Sequence, residues 1–186
     1  PWELRIEVNL TEITGSLQIS GVAYADDKFF VTGISEAGED KIYRLNDELD
    51  LIDSFDQPGE GGRAITDLGW DGEFWWGVRS DTLYQFSTDG EIQRAIHVDI
   101  ERTRTVTWDP ENQLIWLIGD DPYIHGLDVE GNEQRTHFIK GLDIRGLAYQ
   151  PAQPEGFSIL AYNYRISPPG AFRQTVHSIN PLTGDI

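Results

Sequence analysis

The chain of 186 residues contains no cysteine and no methionine. The absence of cysteine excludes disulfide bonds and thiolate chemistry, and it leaves the redox compartment open. No apolar run approaches the roughly 18 residues that a membrane-spanning helix requires, so we expect no membrane insertion. The chain begins at Pro1 without an initiator methionine, so we expect a processed or partial product.

Basic residues are scarce. The 14 lysines and arginines are outnumbered by 32 aspartates and glutamates, which gives a formal net charge of -18. Nucleic acids and anionic membrane surfaces would repel such a chain, so we expect neither as a partner. The acidity suits an extracellular or cell-surface location. We expect no cofactor, with calcium bound by surface carboxylates as the alternative.

One strand pattern recurs four times, about 40 residues apart. Each copy opens with a segment that ends in Tyr or Trp: Gly21–Tyr24, Asp67–Trp70, Thr105–Trp108 and Gly146–Tyr149. A polar turn, a second apolar run and a third strand follow: Ile42–Leu45, Leu83–Phe86, Ile124–Leu127 and Val176–Ile179. Short strands at this period are typical of β-propeller blades. The sequence therefore predicts an all-β propeller with four blade repeats, each of four antiparallel strands.

The predicted blades form a single domain over residues 1–186. They cover about 18–55, 64–98, 103–139 and 144–186, and the last is one strand short. Residues 2–10 alternate apolar and polar side chains, which predicts a strand that completes a blade. This strand could close the ring and remove its free edges. Alternatively, the chain is part of a larger propeller, which the missing initiator favours.

The repeat supplies structural roles for most residues that could carry chemistry. His125 and His177 occupy the position of Tyr43 and Tyr84, so we expect packing roles for both. We also expect packing between blades for the large rings near the ends of the first two strands: Tyr24, Trp70, Trp75, Trp108 and Tyr149. The turns after the first strands carry Asp26, Asp27, Asp71 and Asp109. These acids lack calcium-loop spacing, so we expect solvated turn residues and no metal site.

The loops before the first strands gather the best binding candidates. In a propeller the first strand of each blade lines the central channel. Four of the few cations lie near these strands: Arg63, Arg102, Arg104 and Arg145. They either hold an anionic ligand through bidentate hydrogen bonds or pair with carboxylates such as Asp67 and Asp143. We favour the pairing, which predicts that Arg104 and Arg145 contact Asp67 or Asp143.

No Gly-rich phosphate loop, Gly-x-Ser-x-Gly elbow or cysteine nucleophile is present. We therefore expect a non-catalytic interaction or scaffold module that binds a protein partner through loops on a rigid frame. The candidate loops are 56–64, 99–104, 141–145 and 162–172. The last contains Tyr164 and is interrupted by Pro168 and Pro169. The alternative is a metal-assisted hydrolase or lyase at the channel mouth near Asp67.

Several segments resemble blades of secreted bacterial propellers with YVTN- and NHL-like repeats. The resemblance lies in Ile65–Gly72, Val106–Glu111, Arg145–Tyr149 and Val176–Asp185. It implies a display or interaction domain of a multidomain extracellular or cell-surface protein. Related propeller groups include lactonases and glutaminyl cyclases, but the metal-binding pattern of the lactonase-like group is absent. No functional residue is carried over from the resemblance.

Overall fold

A computed structural model describes residues 7–59, 64–139, 141–151, 156–167 and 171–186. It contains one short helix, α1 (Leu10–Thr14), and fifteen strands in four antiparallel sheets. Sheet 1 consists of β1 (Gln18–Ala25), β2 (Lys28–Ile34), β3 (Asp40–Asn46) and β4 (Leu51–Asp56). Sheet 2 consists of β5 (Leu68–Trp70), β6 (Trp75–Arg79), β7 (Thr82–Phe86) and β8 (Ile92–His97). Sheet 3 consists of β9 (Thr105–Asp109), β10 (Leu114–Ile118), β11 (Tyr123–Leu127) and β12 (Glu133–Phe138). Sheet 4 consists of β13 (Ile144–Tyr149), β14 (Ile159–Ser167) and β15 (Ala171–Ile179).

The four sheets surround an axis lined by their first strands, β1, β5, β9 and β13. This arrangement confirms the predicted all-β propeller of four blades. Within each sheet the strands follow chain order, as hairpins dictate. In the part of the chain that the structure describes, no helix is long and apolar enough to cross a bilayer.

Large apolar side chains fill the space between consecutive sheets. Phe30 of sheet 1 packs on Trp75 of sheet 2, with ring centroids 4.5 Å apart. At the position equivalent to Phe30, sheet 2 carries Trp76 and sheet 3 carries Trp116, and both are fully buried. Trp76 packs with residues of sheet 3, and Trp116 packs with residues of sheet 4. Each of the first three blades therefore inserts one large ring at its interface with the next.

The N-terminal segment departs from the prediction. Residues 2–6 of the predicted strand lie outside the described residues. Residues 7–9 have no regular structure, and Leu10 begins helix α1, so the prediction of a strand up to residue 10 is wrong there. Local signals outweigh the alternation: the Asn9 side chain donates to Glu12, and Gly15 ends the helix with a φ of 67°.

Helix α1 covers the first sheet instead of extending the last one. Leu10 and Ile13, three residues apart, contact the buried Val31, Tyr43 and Leu45. Sheet 4 keeps three strands among the described residues, with β15 at its edge. On the face of sheet 4 that points away from sheet 3, the exposed fraction is 37% for Tyr162 and 65% for Val176.

The segment around the two prolines is more regular than expected. The sequence predicts a loop over residues 162–172, but β14 and β15 pair in continuous register from Ile159–Ile179 to Ser167–Ala171. Aromatic and β-branched residues make up four of the nine residues in each strand, and these favour extended backbone over a loop. Residues 168–170, which include both prolines, lie outside the described residues.

Candidate functional site

The C-terminal ends of the four first strands enclose a cleft on the channel axis. We call this end of the channel the C-terminal mouth. The cleft has a volume of about 480 Å³ and is lined by every blade. One aromatic residue per blade contributes to the lining: Tyr24, Trp70, Trp108 and Tyr149. They reach one rim because all four strands run in the same direction and end at the same level.

These aromatic residues were expected to pack between blades, and the structure confirms this only in part. Trp108 is 9% exposed and belongs to the core between sheets 2 and 3. Trp70 stacks at a tilt on the buried Trp75, with centroids 4.8 Å apart. Tyr24 is 54% exposed. Packing thus holds the tryptophans in place, while one side of the set remains open to the cleft.

The two tyrosines at the rim interact with carboxylates. Desolvation, together with a hydrogen bond from its hydroxyl to Glu111, raises the pKa of Tyr149 to about 12. Desolvation and the nearby Asp27 raise the pKa of Tyr24 as well. Both phenols are therefore neutral hydrogen-bond donors at physiological pH. Their contacts hold Glu111 and Asp27 at the rim of the cleft.

Asp67 lies at the base of the cleft, directly before β5. Its carboxylate accepts hydrogen bonds from the Thr105 hydroxyl at 2.7 Å and from the amides of Leu68 at 3.0 Å and Val106 at 3.2 Å. The amide of Leu147 in sheet 4 also stabilises the charged form. Desolvation raises the pKa of Asp67 to about 6 even so. Asp67 therefore connects three blades at the axis.

The N-terminal ends of the first strands form the opposite, N-terminal mouth, and the predicted arginines lie there. Arg145 donates to Asp143 at 2.7 Å, as expected. Arg104 does not contact Asp67 or Asp143; it donates to the Gly119 carbonyl at 2.6 Å and to Asp120 at 3.4 Å. Arg102 donates to the same Asp120 at 3.0 Å. The choice of Asp120 follows from the hairpin between β10 and β11, which brings this turn beside the loop before β9.

The remaining candidates are dispersed. Arg63 lies outside the described residues. Tyr164 is half-buried on β14, and its amide donates to the Asp143 carbonyl at 3.0 Å. Of the predicted binding residues, Asp67 and Arg145 both line a second groove of about 350 Å³ beside the N-terminal mouth, between β1 and the open face of sheet 4. Arg102, Arg104 and Tyr164 do not line either cavity.

Two turn aspartates have a structural role that the sequence analysis missed. Asp109 is fully buried, and the prediction of a solvated residue is wrong for it. One of its oxygens accepts from the amides of Glu111 and Asn112, and the other accepts from the indole of Trp116 at 3.2 Å. Asp71 bonds the Trp76 indole at 2.7 Å in the same way. In sheet 1, Ala25 stands at the position of these aspartates and Phe30 at the position of the tryptophans. The aspartate is therefore present only in the sheets whose ring has an indole donor.

The histidines occupy structural positions, as predicted. His125 is 7% exposed, close to the 4% of the equivalent Tyr43. Its Nδ1 lies 2.6 Å from Glu133 and its Nε2 lies 2.9 Å from Asp121. His177 bonds Thr175 at 2.8 Å. Among the described residues, no group of three or more His, Asp or Glu side chains is arranged to hold a metal ion.

No protein-family profile matches the chain, and no curated protein matches it. Solved structures do. The WD40 domain of Neurospora crassa Pan2 aligns with a TM-score of 0.63 at 14% identity, over 90% of this chain and 48% of that domain. Myxococcus xanthus glutaminyl cyclase aligns with a TM-score of 0.64 at 16% identity, over 89% of this chain and 67% of that one.

A chain of the mitotic checkpoint complex aligns with a TM-score of 0.58 at 11% identity, over 90% of this chain and 49% of that chain. At these identities the likeness shows a shared β-propeller fold and nothing more specific. This chain spans about half the length of the Pan2 domain and of the checkpoint chain.

Proposed function

We propose that the chain is a protein-binding module whose partner docks at the C-terminal mouth. The observation that supports this most strongly is the cleft itself. It is the place where all four repeats contribute a side chain of the same kind, although the four aromatic residues lie far apart in the sequence. Two of the similar structures support the same function, because one is a WD40 domain and the other is part of a multiprotein complex.

The N-terminal mouth contributes to a rigid frame in this proposal. Arg145 donates to Asp143, and Arg102 and Arg104 share the single carboxylate of Asp120, so all three side chains are already engaged by protein groups. Their use as ligands for an anion, together with Arg63 and Tyr164, stays a prediction. We further propose an extracellular or cell-surface setting, which is consistent with the acidic composition and with the resemblance to secreted propellers.

One observation favours a second candidate function, an acid–base reaction in the cleft. Asp67 combines a raised pKa with a position at the base of a cavity, as catalytic carboxylates often do. Its two oxygens, however, already accept three hydrogen bonds from neighbouring strands. A structural tie explains these contacts more directly, so we place the enzyme second.

The docking function is tested by affinity capture with two matched triple variants. Asp27→Asn, Glu73→Gln and Glu111→Gln neutralise three exposed carboxylates at the C-terminal mouth. Glu36→Gln, Asp99→Asn and Glu101→Gln make the same charge change toward the N-terminal mouth. We expect wild type and the second variant to retain one stoichiometric partner that the first variant loses. Equal capture by all three proteins would contradict docking at this mouth.

A further inference from the structure

The described turns at the C-terminal mouth are strongly acidic. The turns after β1, β5 and β9 carry Asp26, Asp27, Asp71, Glu73, Asp109 and Glu111. The one cation among them, Lys28, donates to the Asp26 carbonyl at 3.1 Å. The arginines of the described first-strand region lie at the opposite mouth. An approaching ligand therefore meets negative potential at the C-terminal mouth.

The wall of the cleft adds an independent preference. The faces of aromatic rings carry negative electrostatic potential and attract cations, with Trp the strongest and Tyr close behind. Two Trp and two Tyr line this cleft, and neither Lys nor Arg is among its lining residues. The volume of about 480 Å³ lies within the roughly 300–1,000 Å³ range of ligand pockets. It is large enough for a long side chain to enter.

The carboxylates at the rim and base are placed to complement a charged end group. Glu111 and Asp27 are exposed and lie beside Tyr149 and Tyr24. Asp67 lies at the base, where it faces both the cleft and the groove behind it. The other two carboxylates nearest the cleft, Asp71 and Asp109, are occupied by tryptophan indoles. Asp67 already accepts three hydrogen bonds, so the carboxylates of the rim carry the charge that is available to a ligand.

We propose that the cleft binds the cationic side chain of an arginine or lysine of the partner protein, an inference that rests on the protein-binding function above. The side chain lies along the aromatic residues at the rim of the cleft. The guanidinium or ammonium group faces the aromatic surfaces and the carboxylates of the rim. The fold thus selects a basic segment of its partner.

The probes are two short peptides, acetyl-Gly-Gly-Arg-Gly-Gly-amide and its citrulline counterpart, which is similar in shape but uncharged. Titration calorimetry measures the Kd of each peptide. Tryptophan fluorescence reports on binding at this site, because Trp70 and Trp108 line the cleft. We expect saturable binding of the arginine peptide with a low millimolar Kd. The Kd of the citrulline peptide should be at least about tenfold higher. The affinity for the arginine peptide should fall as salt is raised.

The two triple variants of the capture experiment localise the effect. Neutralising Asp27, Glu73 and Glu111 should weaken binding of the arginine peptide by about tenfold, while the variant at Glu36, Asp99 and Glu101 should bind like wild type. Equal affinity for the two peptides, equal loss in both variants, or no binding below about 20 mM would each overturn the cationic assignment. If a partner is still captured through the C-terminal mouth in that case, the docking function stands and only its ligand chemistry is wrong.

Discussion

At the scale of single residues, desolvation raises the pKa of the Asp67 carboxyl group well above its usual range. Its pKa is about 6 in the folded protein and about 3.9 in an unfolded chain. The folded state therefore holds a proton between these values that the unfolded state has released. Stability due to this group is largest below pH 4 and is lost as pH rises towards 6.

The variant Asp67→Asn removes this titration. Relative to the variant, the wild-type free energy of unfolding should fall by about 2 kcal/mol between pH 4 and pH 6.5, which is most of the roughly 3 kcal/mol that a shift of about two pKa units represents. Urea unfolding at closely spaced pH values measures it. Glu36→Gln, an exposed carboxylate away from the axis, serves as the control and should give a curve parallel to wild type. A constant difference between wild type and Asp67→Asn would mean that the carboxylate is not desolvated.

At the scale of elements, Asp109 in the turn between β9 and β10 holds the indole of Trp116, which packs against sheet 4. Asp109→Ala would leave the buried Trp116 indole and the turn amides without their acceptor, so we expect a loss of about 2–4 kcal/mol. Trp116→Phe removes the indole donor and imitates Phe30, which occurs with Ala25 in sheet 1. The double variant should therefore lose about 1 kcal/mol less than the sum of the two single losses. Strict additivity in urea unfolding would show that the two side chains are independent.

The same comparison of elements shows what the sequence can and cannot predict. The fourfold pattern identified the blades because strands at equivalent places in each blade pack in the same way and carry similar apolar residues. Helix α1 was missed because the apolar alternation continues through Leu10, where the helix has already begun; the local signals for the helix are the contact between the Asn9 and Glu12 side chains and the C-terminal Gly15. The burial of Asp109 was missed because an aspartate in a polar turn also suits solvent, and only its coupling with Trp116 reveals the contact. The cleft was missed because rings that pack between blades can also open onto the axis.

At the scale of the whole molecule, the charge of -18 should limit stability through repulsion among its carboxylates. The ion pairs of the described residues use most of the available cations, such as Arg44 with Asp53 and Asp89, and leave many acids uncompensated. Mobile ions screen exposed charges over about 10 Å at 0.1 M salt, so the melting temperature should rise with sodium chloride concentration. A melting temperature independent of salt would mean that repulsion contributes little to the folded state.

Calcium distinguishes general screening from a specific site. The described carboxylates do not converge on one point, as the six to eight oxygen ligands of calcium require. At matched ionic strength we therefore expect calcium chloride and sodium chloride to raise the melting temperature equally. A ligand present at about 100 times its Kd stabilises a protein by about 2.7 kcal/mol. If millimolar calcium stabilised the protein by that much more than sodium at the same ionic strength, a specific cation site would exist and the metal-assisted reaction near Asp67 would be supported. Equal melting temperatures in the two salts would show that the surface carboxylates act through general electrostatic attraction, which favours basic partners.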